Sequence, residues 1–250
     1  MITESHVLAQ MPNRSLYKAD RQYNFVATYI APNGDTLTTE TVSLKASSEA
    51  WAAQASQYAY KLIYNFTPED SAFFAQQPNP KTKKAKKPVA YDWNRSITTG
   101  AVEDSTELWM HPFRENQYVY TEVAPFPEVR WNKLYPDSTW GTTLYILNGW
   151  GAFKGVLSAR YTIAGQEDRQ LNKLELKDCW RIESVGKHRK FKNPLISLIV
   201  GNGKTKGTSY HNFYYHPDYG FTEMYYTFYD GTKISFVLDS VEESYIGSAR

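Results

Sequence analysis

Residues 210–241 read YHNFYYHPDYGFTEMYYTFYDGTKISFVLDSV, which is three runs of strand-forming residues separated by two turn sequences. In the last run Ile234 and Phe236 alternate with polar neighbours, the period of two that is expected of a half-buried strand. Asp230 and Gly231 form a dipeptide that favours a tight hairpin, because both central residues of such a turn can take positive φ angles. The sequence therefore predicts three successive antiparallel strands here.

A further hairpin is predicted near the start of the chain. Two Thr- and Val-rich runs, 23–30 and 36–44, flank the sequence Pro-Asn-Gly-Asp at 32–35, in which the Asn-Gly pair favours a hairpin turn. In the second half of the chain, turn residues recur about every ten positions, with strand-like runs such as 142–147 and 155–163 between them. This spacing predicts a curved antiparallel sheet or a sandwich.

Two helices are predicted between the first hairpin and the later strands. Apolar residues recur at spacings of three and four, which predicts an N-terminal helix over about 47–65. Thr67 and Pro68, followed by two acids, predict a short second helix over about 68–75, with Thr67 as its N-cap. The predicted fold class is therefore α+β and mainly β, and the length of the chain is typical of a single domain, 1–250.

A lysine-rich loop interrupts the predicted elements at about 76–90. This stretch consists mostly of Gln, Pro, Asn and Lys, which cannot bury much apolar surface, so we expect a mobile surface loop. Its lysines could contact phosphates, which makes nucleic-acid binding the weakest of three functional alternatives. The formal net charge of +2 gives no wider basic surface to support it.

Composition limits the class of protein further. Aromatic residues make up 16% of the chain, with 20 Tyr and 7 Trp, which favours strands and rings at wet-edged surfaces. No apolar run approaches the roughly 18 residues of a membrane span. The single cysteine excludes an intramolecular disulfide and a thiolate zinc cluster, and neither a metal nor a cofactor is predicted.

The expected location follows from the same features. The first residues show neither the basic start nor the apolar core of a secretory signal. We therefore expect either a mature chain in the periplasm or associated with the outer membrane, or a cytoplasmic protein.

The aromatic strands suggest the first functional hypothesis. A sheet that carries large rings on both faces either packs between two layers or lines an open groove. We expect Tyr214, Tyr226, Phe228 and Phe236 to line a concave groove. The ligand of such a groove would be an apolar small molecule, a lipid or a partner protein.

A hydrolase is the second hypothesis. His111 and His216 each precede a proline at the end of a strand-like run, and alternation turns Asp178 inward, where it would need partners or a shifted pKa. Two histidines and a carboxylate can act as acid and base near neutral pH if they converge. No spacing singles out a hydrolytic pair among the candidate carboxylates, which are Glu122, Glu128, Asp178, Glu183 and Glu223.

The C-terminal half also resembles a known class of proteins. Asp178-Cys179-Trp180 opens a strand, and YYHPDYGFTEMYY and DGTKISFVL follow it as hairpins. This arrangement, over about Gly155 to Val241, resembles β-rich envelope proteins of Gram-negative bacteria that share a curved sheet of the lipoprotein-carrier, or LolA, kind. The resemblance implies a non-enzymatic, secreted or outer-membrane-anchored binding protein, with no catalytic residues to carry over.

Overall fold

The structure is a computed structural model that describes residues 16–19, 21–76, 93–150, 153–189 and 207–243. One α-helix, α1 (Pro68–Gln76), and two 3-10 helices, at Asn116–Val123 and Trp131–Lys133, accompany the strands. The strands are β1 (Arg21–Ile30), β2 (Thr36–Trp51), β3 (Gln54–Tyr64), β4 (Ser96–Glu103), β5 (Glu107–Met110), β6 (Glu128–Arg130), β7 (Thr139–Trp150), β8 (Phe153–Gln170), β9 (Glu175–Arg189), β10 (Thr208–His216), β11 (Gly220–Thr227) and β12 (Lys233–Glu243).

The twelve strands of the described residues belong to one antiparallel sheet, in the order β6-β5-β4-β3-β2-β1-β12-β11-β10-β9-β8-β7. Strands that follow each other in sequence pair, except β6 and β7, and β1 pairs with β12, the two strands that are farthest apart in the chain. The sheet is thus two six-stranded meanders joined at a central seam, with β6 and β7 as its two edges. The predicted curved antiparallel sheet is confirmed, and so are the three strands in residues 210–241.

Period-two alternation places large side chains on the inner face of the sheet at the seam. Phe25 and Ala27 on β1 pair with Leu238 and Phe236 on β12, and all four are fully buried. Burying a side chain of the size of Phe stabilises the fold by roughly 1.5–3 kcal/mol. The seam therefore draws its stability from apolar burial as well as from the ladder of backbone hydrogen bonds.

The segment between β5 and β6, residues 111–127, covers this inner face and is called the inner layer below. The ring of Phe113 lies 5.4 Å from that of Phe25 and 4.9 Å from that of Phe236, centroid to centroid. Tyr118 contacts Phe236 at 5.1 Å. The backbone N–H of Arg114 donates to the hydroxyl of Tyr64, 3.0 Å away. The inner layer thus fills the concave side of the central strands.

The predicted helix over 47–65 is wrong, because these residues form the end of β2 and most of β3. Leu44 pairs with Leu62, and Ala46 pairs with Tyr60. A spacing of four places two residues on one face of a helix, but it is also an even number, so the same two residues share one face of a strand. Tyr58 and Leu62, two residues of the supposed helical stripe, are therefore buried on one face of β3, whereas Ala55 is exposed.

The predicted helix at about 68–75 is confirmed as α1. The backbone N–H of Asp70 donates to Thr67 Oγ1, 3.0 Å away, and the Thr67 N–H donates to Asp70 Oδ2, 2.8 Å away, a reciprocal N-terminal cap. Phe74 docks the helix against Tyr29, with ring centroids 5.4 Å apart. No helix in the described ranges is long and apolar enough to cross a membrane. From residue 77 on, the predicted lysine-rich loop lies outside the described residues.

The β8–β9 hairpin bends over the outer face of the sheet. Its register shifts twice, between Ile163 and Gly165 and between Glu167 and Arg169, and such bulges bend strands. At the tip of the hairpin, Lys173 Nζ lies 2.5 Å from Asp239 Oδ2 on β12. The hairpin therefore covers the outer side of the C-terminal strands.

A buried ion pair holds this hairpin against β11. Arg169 donates two hydrogen bonds to Glu223, of 2.6 and 2.9 Å, and the Glu223 side chain is only 1% exposed. The guanidinium of Arg169 also lies 4.2 Å above the centre of the Tyr214 ring, and the Tyr225 hydroxyl donates to Glu223, 2.5 Å away. The carboxylate is thus neutralised and hydrogen-bonded at a position that faces away from the main core.

Asp178 does not point inward as alternation suggested. It is exposed and has a φ angle of 55°, opposite the second register shift of the β8–β9 hairpin. The extra residue of a bulge reverses the alternation from that point on. The expectation of an inward carboxylate at this position is therefore wrong.

We expect Gly220→Ala to destabilise the protein. Gly220 has a φ angle of +71°, and an added Cβ would lie 2.4 Å from the Tyr17 hydroxyl, which accepts a hydrogen bond from Phe221 N–H. Backbone strain and the clash together should lower the free energy of unfolding by about 2–4 kcal/mol, measured by urea denaturation. Gly34→Ala is the matched control, because Gly34 has a φ angle of +95° but nothing within 4 Å of its Cβ position. Equal losses in the two variants would contradict a role for the Tyr17 contact.

Removing the cation from the buried pair should be costly. Arg169→Ala leaves the Glu223 carboxylate buried without its partner, and we expect the free energy of unfolding to fall by about 3 kcal/mol. Lys177→Ala is the control, because Lys177 pairs with Asp168 and Glu175 at the surface and its loss should have no measurable effect. Equal stability of the Arg169→Ala and wild-type proteins in urea denaturation would show that the pair does not hold the hairpin.

Candidate functional site

An open cavity of about 490 Å³ lies where the two edges of the sheet approach each other, and it is called the edge cleft below. The edges are linked there, because Thr142 Oγ1 on β7 donates to Glu128 Oε2 on β6, 2.7 Å away. Residues from both meanders and from the β2–β3 turn line the cleft: Trp51, Ala53, Gln54, Gln57, Val102, Glu107, Trp109, His111, Glu128, Arg130, Thr142 and Leu144.

Two tryptophans give the edge cleft its aromatic surface. Trp51 and Trp109 are both half-buried, and each meets the imidazole of His111 edge-on, with centroids 5.6 and 4.8 Å apart. His111 is 1% exposed, and Phe126 of the inner layer packs against it at 5.1 Å. Because both tryptophans are only half-buried, parts of their rings form the surface of the cleft, and the inner layer lies beneath them.

The position of Trp51 depends on a glycine in the neighbouring strand. A Cβ at Gly100 would lie 2.5 Å from Trp51 Cε3 and 2.0 Å from Gln57 Oε1, so both side chains fold over a place where only hydrogen fits. Gln57 is 6% exposed, and its Oε1 has no hydrogen-bond partner among the described residues. A buried acceptor without a donor is uncommon in folded proteins and costs roughly 1–3 kcal/mol.

Two carboxylates and one guanidinium form the polar wall of the cleft. Arg130 Nε lies 2.9 Å from Glu128 Oε1 and 3.7 Å from Glu107 Oε2. The Glu128 side chain is 1% exposed, whereas that of Glu107 is 30% exposed. Burial raises the pKa of Glu107, and the charge of Glu128 adds to the shift. The wall therefore presents both negatively and positively charged hydrogen-bonding groups to the cavity.

A buried charged cluster lies behind His111. Arg114 donates to Thr99 Oγ1, 3.0 Å away, and its other terminal nitrogen lies 3.1 Å from His111 Nδ1 and 3.3 Å from Glu122 Oε1. Burial lowers the pKa of His111 well below its usual value, and the positive charge of Arg114 adds to the effect. His111 is therefore neutral at pH 7 and serves the cleft as an aromatic floor.

The four residues predicted to line a groove lie on two different faces of the sheet. Tyr226, Phe228 and Phe236 are buried on the inner side, where Phe236 is covered by the inner layer. Tyr214 pairs with Glu223, which is three residues from Tyr226 on β11 and therefore lies on the opposite face of the sheet. The Tyr214 ring faces outward, beneath the guanidinium of Arg169. Ligand contact by these residues stays a prediction, and the exposed aromatic surface of the edge cleft is formed by other residues.

The three residues of the hydrolase hypothesis are distributed between two regions. His111 belongs to the edge cleft, whereas neither His216 nor Asp178 lines it. His216 lies at the end of β10 and accepts a hydrogen bond from the Asp218 N–H, 3.1 Å away. Burial lowers the pKa of His216, and the charges of Asp218 and Asp178 oppose the shift. The described ranges contain no cluster of three or more His, Cys, Asp or Glu side chains suited to a metal ion.

Sequence reasoning missed the residues that form the cleft. Trp51 was assigned to a helix, and nothing local relates it to Trp109 or to Glu128. A usable signal was the run Glu107-Leu108-Trp109-Met110, in which alternation places Trp109 and Glu107 together on one face. The remaining lining residues meet only because the sheet curves until its edges approach.

Comparisons with known proteins give matches to solved structures at low sequence identity. No protein-family model and no curated protein matches the chain. A solved structure from Parabacteroides distasonis, described as a "putative lipoprotein", has a TM-score of 0.47 and 10% identity and covers 91% of this chain and 97% of its own. A second, from Bacteroides fragilis, described as a "putative exported protein with YmcC-like fold", has a TM-score of 0.39 and 10% identity, with 93% and 98% covered. Neither description names the lipoprotein-carrier kind.

The buried carboxyl of Glu122 should make stability depend on pH. Burial raises its pKa to about 7, and Arg114 opposes the shift. The proton stabilises the folded chain fully below pH 4.5, and this contribution is lost as the pH rises through about 7. We expect the free energy of unfolding of Glu122→Gln, relative to wild type, to increase by up to about 3 kcal/mol over that interval.

Urea denaturation of both proteins at a series of pH values measures this difference. The lowered pKa of His111 gives a slope of the opposite sign, but His111 is present in both proteins, so the comparison isolates the carboxyl. Parallel stability curves for Glu122→Gln and wild type would show that Glu122 is ionised in the folded protein at pH 5.

Proposed function

We propose that the protein is a non-enzymatic binding protein of the cell envelope and that the edge cleft is its ligand-binding site. The observation that carries the proposal is the pair of half-buried tryptophans, Trp51 and Trp109, beside an open cavity of about 490 Å³. Ligand sites are typically concave, lined by aromatic side chains and supplied with a few convergent polar groups. The polar wall of Glu107, Glu128 and Arg130 provides such groups.

The cleft favours a small molecule over a partner protein. Its volume falls within the roughly 300–1,000 Å³ of typical ligand pockets, whereas a stable protein interface buries about 1,600 Å² of largely continuous surface. Each tryptophan also packs against the buried His111, which holds its ring at the wall of the cleft. A small ligand can enter the cleft and stack against these rings, whereas the flatter surface of a partner protein would make fewer contacts with them.

The carboxylates of the cleft are arranged for binding. Glu128 accepts hydrogen bonds from Arg130 Nε, 2.9 Å away, and from Thr142 Oγ1, 2.7 Å away, and its side chain is almost completely buried. A carboxylate held in this way keeps one fixed orientation, whereas a general acid or base must exchange a proton with its substrate. The geometry thus supports recognition by a preorganised polar wall.

The envelope location is part of the same proposal. It is supported by the resemblance of residues 155–241 to β-rich envelope proteins, and the aromatic-rich composition is consistent with it. The ligand would then be a molecule present at or beyond the inner membrane.

The proposal is tested with the apolar fluorescent probe Nile red. We expect the wild-type protein to bind the probe with a rise in fluorescence, and Trp51→Ala and Trp109→Ala to bind it about five-fold more weakly, because each loses a stacking surface. Trp180→Ala is the matched control, since Trp180 is also half-buried but does not line the cleft. Thermal denaturation of each variant confirms that it is folded. Equal affinities in all four proteins would reject the edge cleft as the binding site.

A further inference from the structure

The polar groups of the edge cleft narrow the class of its ligand, an inference that rests on the proposed function. We infer that the cleft binds an uncharged saccharide of two or more rings, with sugar faces against Trp51 and Trp109 and hydroxyls on the polar wall. Four features of the cleft support this: its mixture of ring faces and polar groups, an unpartnered acceptor, its charge, and a second cavity beside it.

The mixture of surfaces matches the two-sided chemistry of a sugar ring. A pyranose presents C–H groups on its faces and hydroxyls around its rim, so it suits an aromatic surface bordered by hydrogen-bonding side chains. Trp51 and Trp109 supply the aromatic surface, and Glu107 and Arg130 border it with planar groups that can bond two adjacent hydroxyls. A fatty acyl chain fits poorly, because it would remove water from these charged groups without offering hydrogen bonds in return.

Gln57 gives the second argument. This side chain lines the cleft and is more than nine-tenths buried, yet its Oε1 lacks a hydrogen-bond partner among the described residues. This oxygen is packed against Gly100 and has almost no accessible surface, so a ligand hydroxyl can satisfy it only if the Gln57 side chain turns into the cleft. A ligand that carries only carboxylate or phosphate oxygens offers no donor and would leave the acceptor unsatisfied.

Charge gives the third argument. Glu107, Glu128 and Arg130 carry a formal net charge of −1, and the neutral His111 adds nothing to it. Arg130 is already engaged by both carboxylates, at 2.9 and 3.7 Å. An anionic ligand in the edge cleft would therefore meet a wall whose cation is already neutralised, which disfavours acidic lipids and acidic glycans at this end of the site.

The fourth argument is a second cavity, of about 450 Å³, that shares Glu107 and Arg130 with the edge cleft. Its other lining residues all offer hydroxyl, amide or ammonium groups, and they are Ser105, Thr106, Asn132 and Lys133. The two cavities adjoin at the Glu107 and Arg130 pair, and together they have an aromatic end and a polar end. This length and polarity suit a chain of sugar rings better than a single ring.

A glycan array of neutral and acidic oligosaccharides tests the inference, followed by calorimetric titration of each glycan that binds. We expect at least one neutral oligosaccharide to bind and its acidic counterpart to bind less. Trp51→Ala and Gln57→Leu should each weaken binding at least five-fold, since one removes a stacking surface and the other removes an acceptor. Trp180→Ala is again the control and should bind as the wild type does.

Asn132→Ala tests the second cavity. It should weaken binding of a tetrasaccharide about three-fold and leave binding of the corresponding disaccharide unchanged, because only the longer ligand reaches the polar end. Equal effects on both lengths would overturn the extended groove.

The outcomes separate this inference from the proposed function. Cleft-dependent binding of Nile red without retention of any neutral glycan would overturn the saccharide inference and leave the binding function standing. Glycan binding that is unchanged in Trp51→Ala and Gln57→Leu would also overturn the inference, because the sugar would then bind elsewhere. Failure of both Nile red and glycans to bind would reject the proposed function as well.

Discussion

The pairing of β1 with β12 is the constraint on which the rest of the structure depends. It joins the two meanders into one sheet and places Phe25 beside Phe236, where the ring of Phe113 covers both. Without this seam each meander would have an exposed edge and half of an inner face. The strands that pair here lie at opposite ends of the chain, so closing the seam orders almost the whole protein, and this kind of long-range pairing is typical of slow folding.

The inner layer contributes to the edge cleft as well as to the core. Residues 111–127 fill the concave side at the seam, and the same segment carries His111 to the edge, where Trp51 and Trp109 lean on it. Residues 111–127 thus contribute both to the packing of the core and to the geometry of the candidate site. The buried cluster of Arg114 and Glu122 behind the imidazole fixes the floor of the cleft, at the cost of removing charged groups from water.

Local patterns predicted the strands well and the site poorly. The alternation around Ile234 and the turn at Gly34 each specify structure over a few residues, and both are found as predicted. The predicted helix over 47–65 is wrong because residues four positions apart share one face in a helix and also in a strand. Alternation also shows which residues share a face but not what covers that face, and the inner layer packs on Phe236, one of the residues predicted to line a groove. The cleft residues converge only through the curvature of the whole sheet, which no local pattern contains.

The hydrogen bond from Thr142 to Glu128, which links the last strand of one meander to the first strand of the other, has a consequence for behaviour in a crowded cell. Outermost strands of a sheet carry unpaired N–H and C=O groups that recruit strands from other molecules. In this protein the two outermost strands face each other across a cavity and are tied together by side chains. The approach of the two edges thereby also shields the molecule against growing into a fibre.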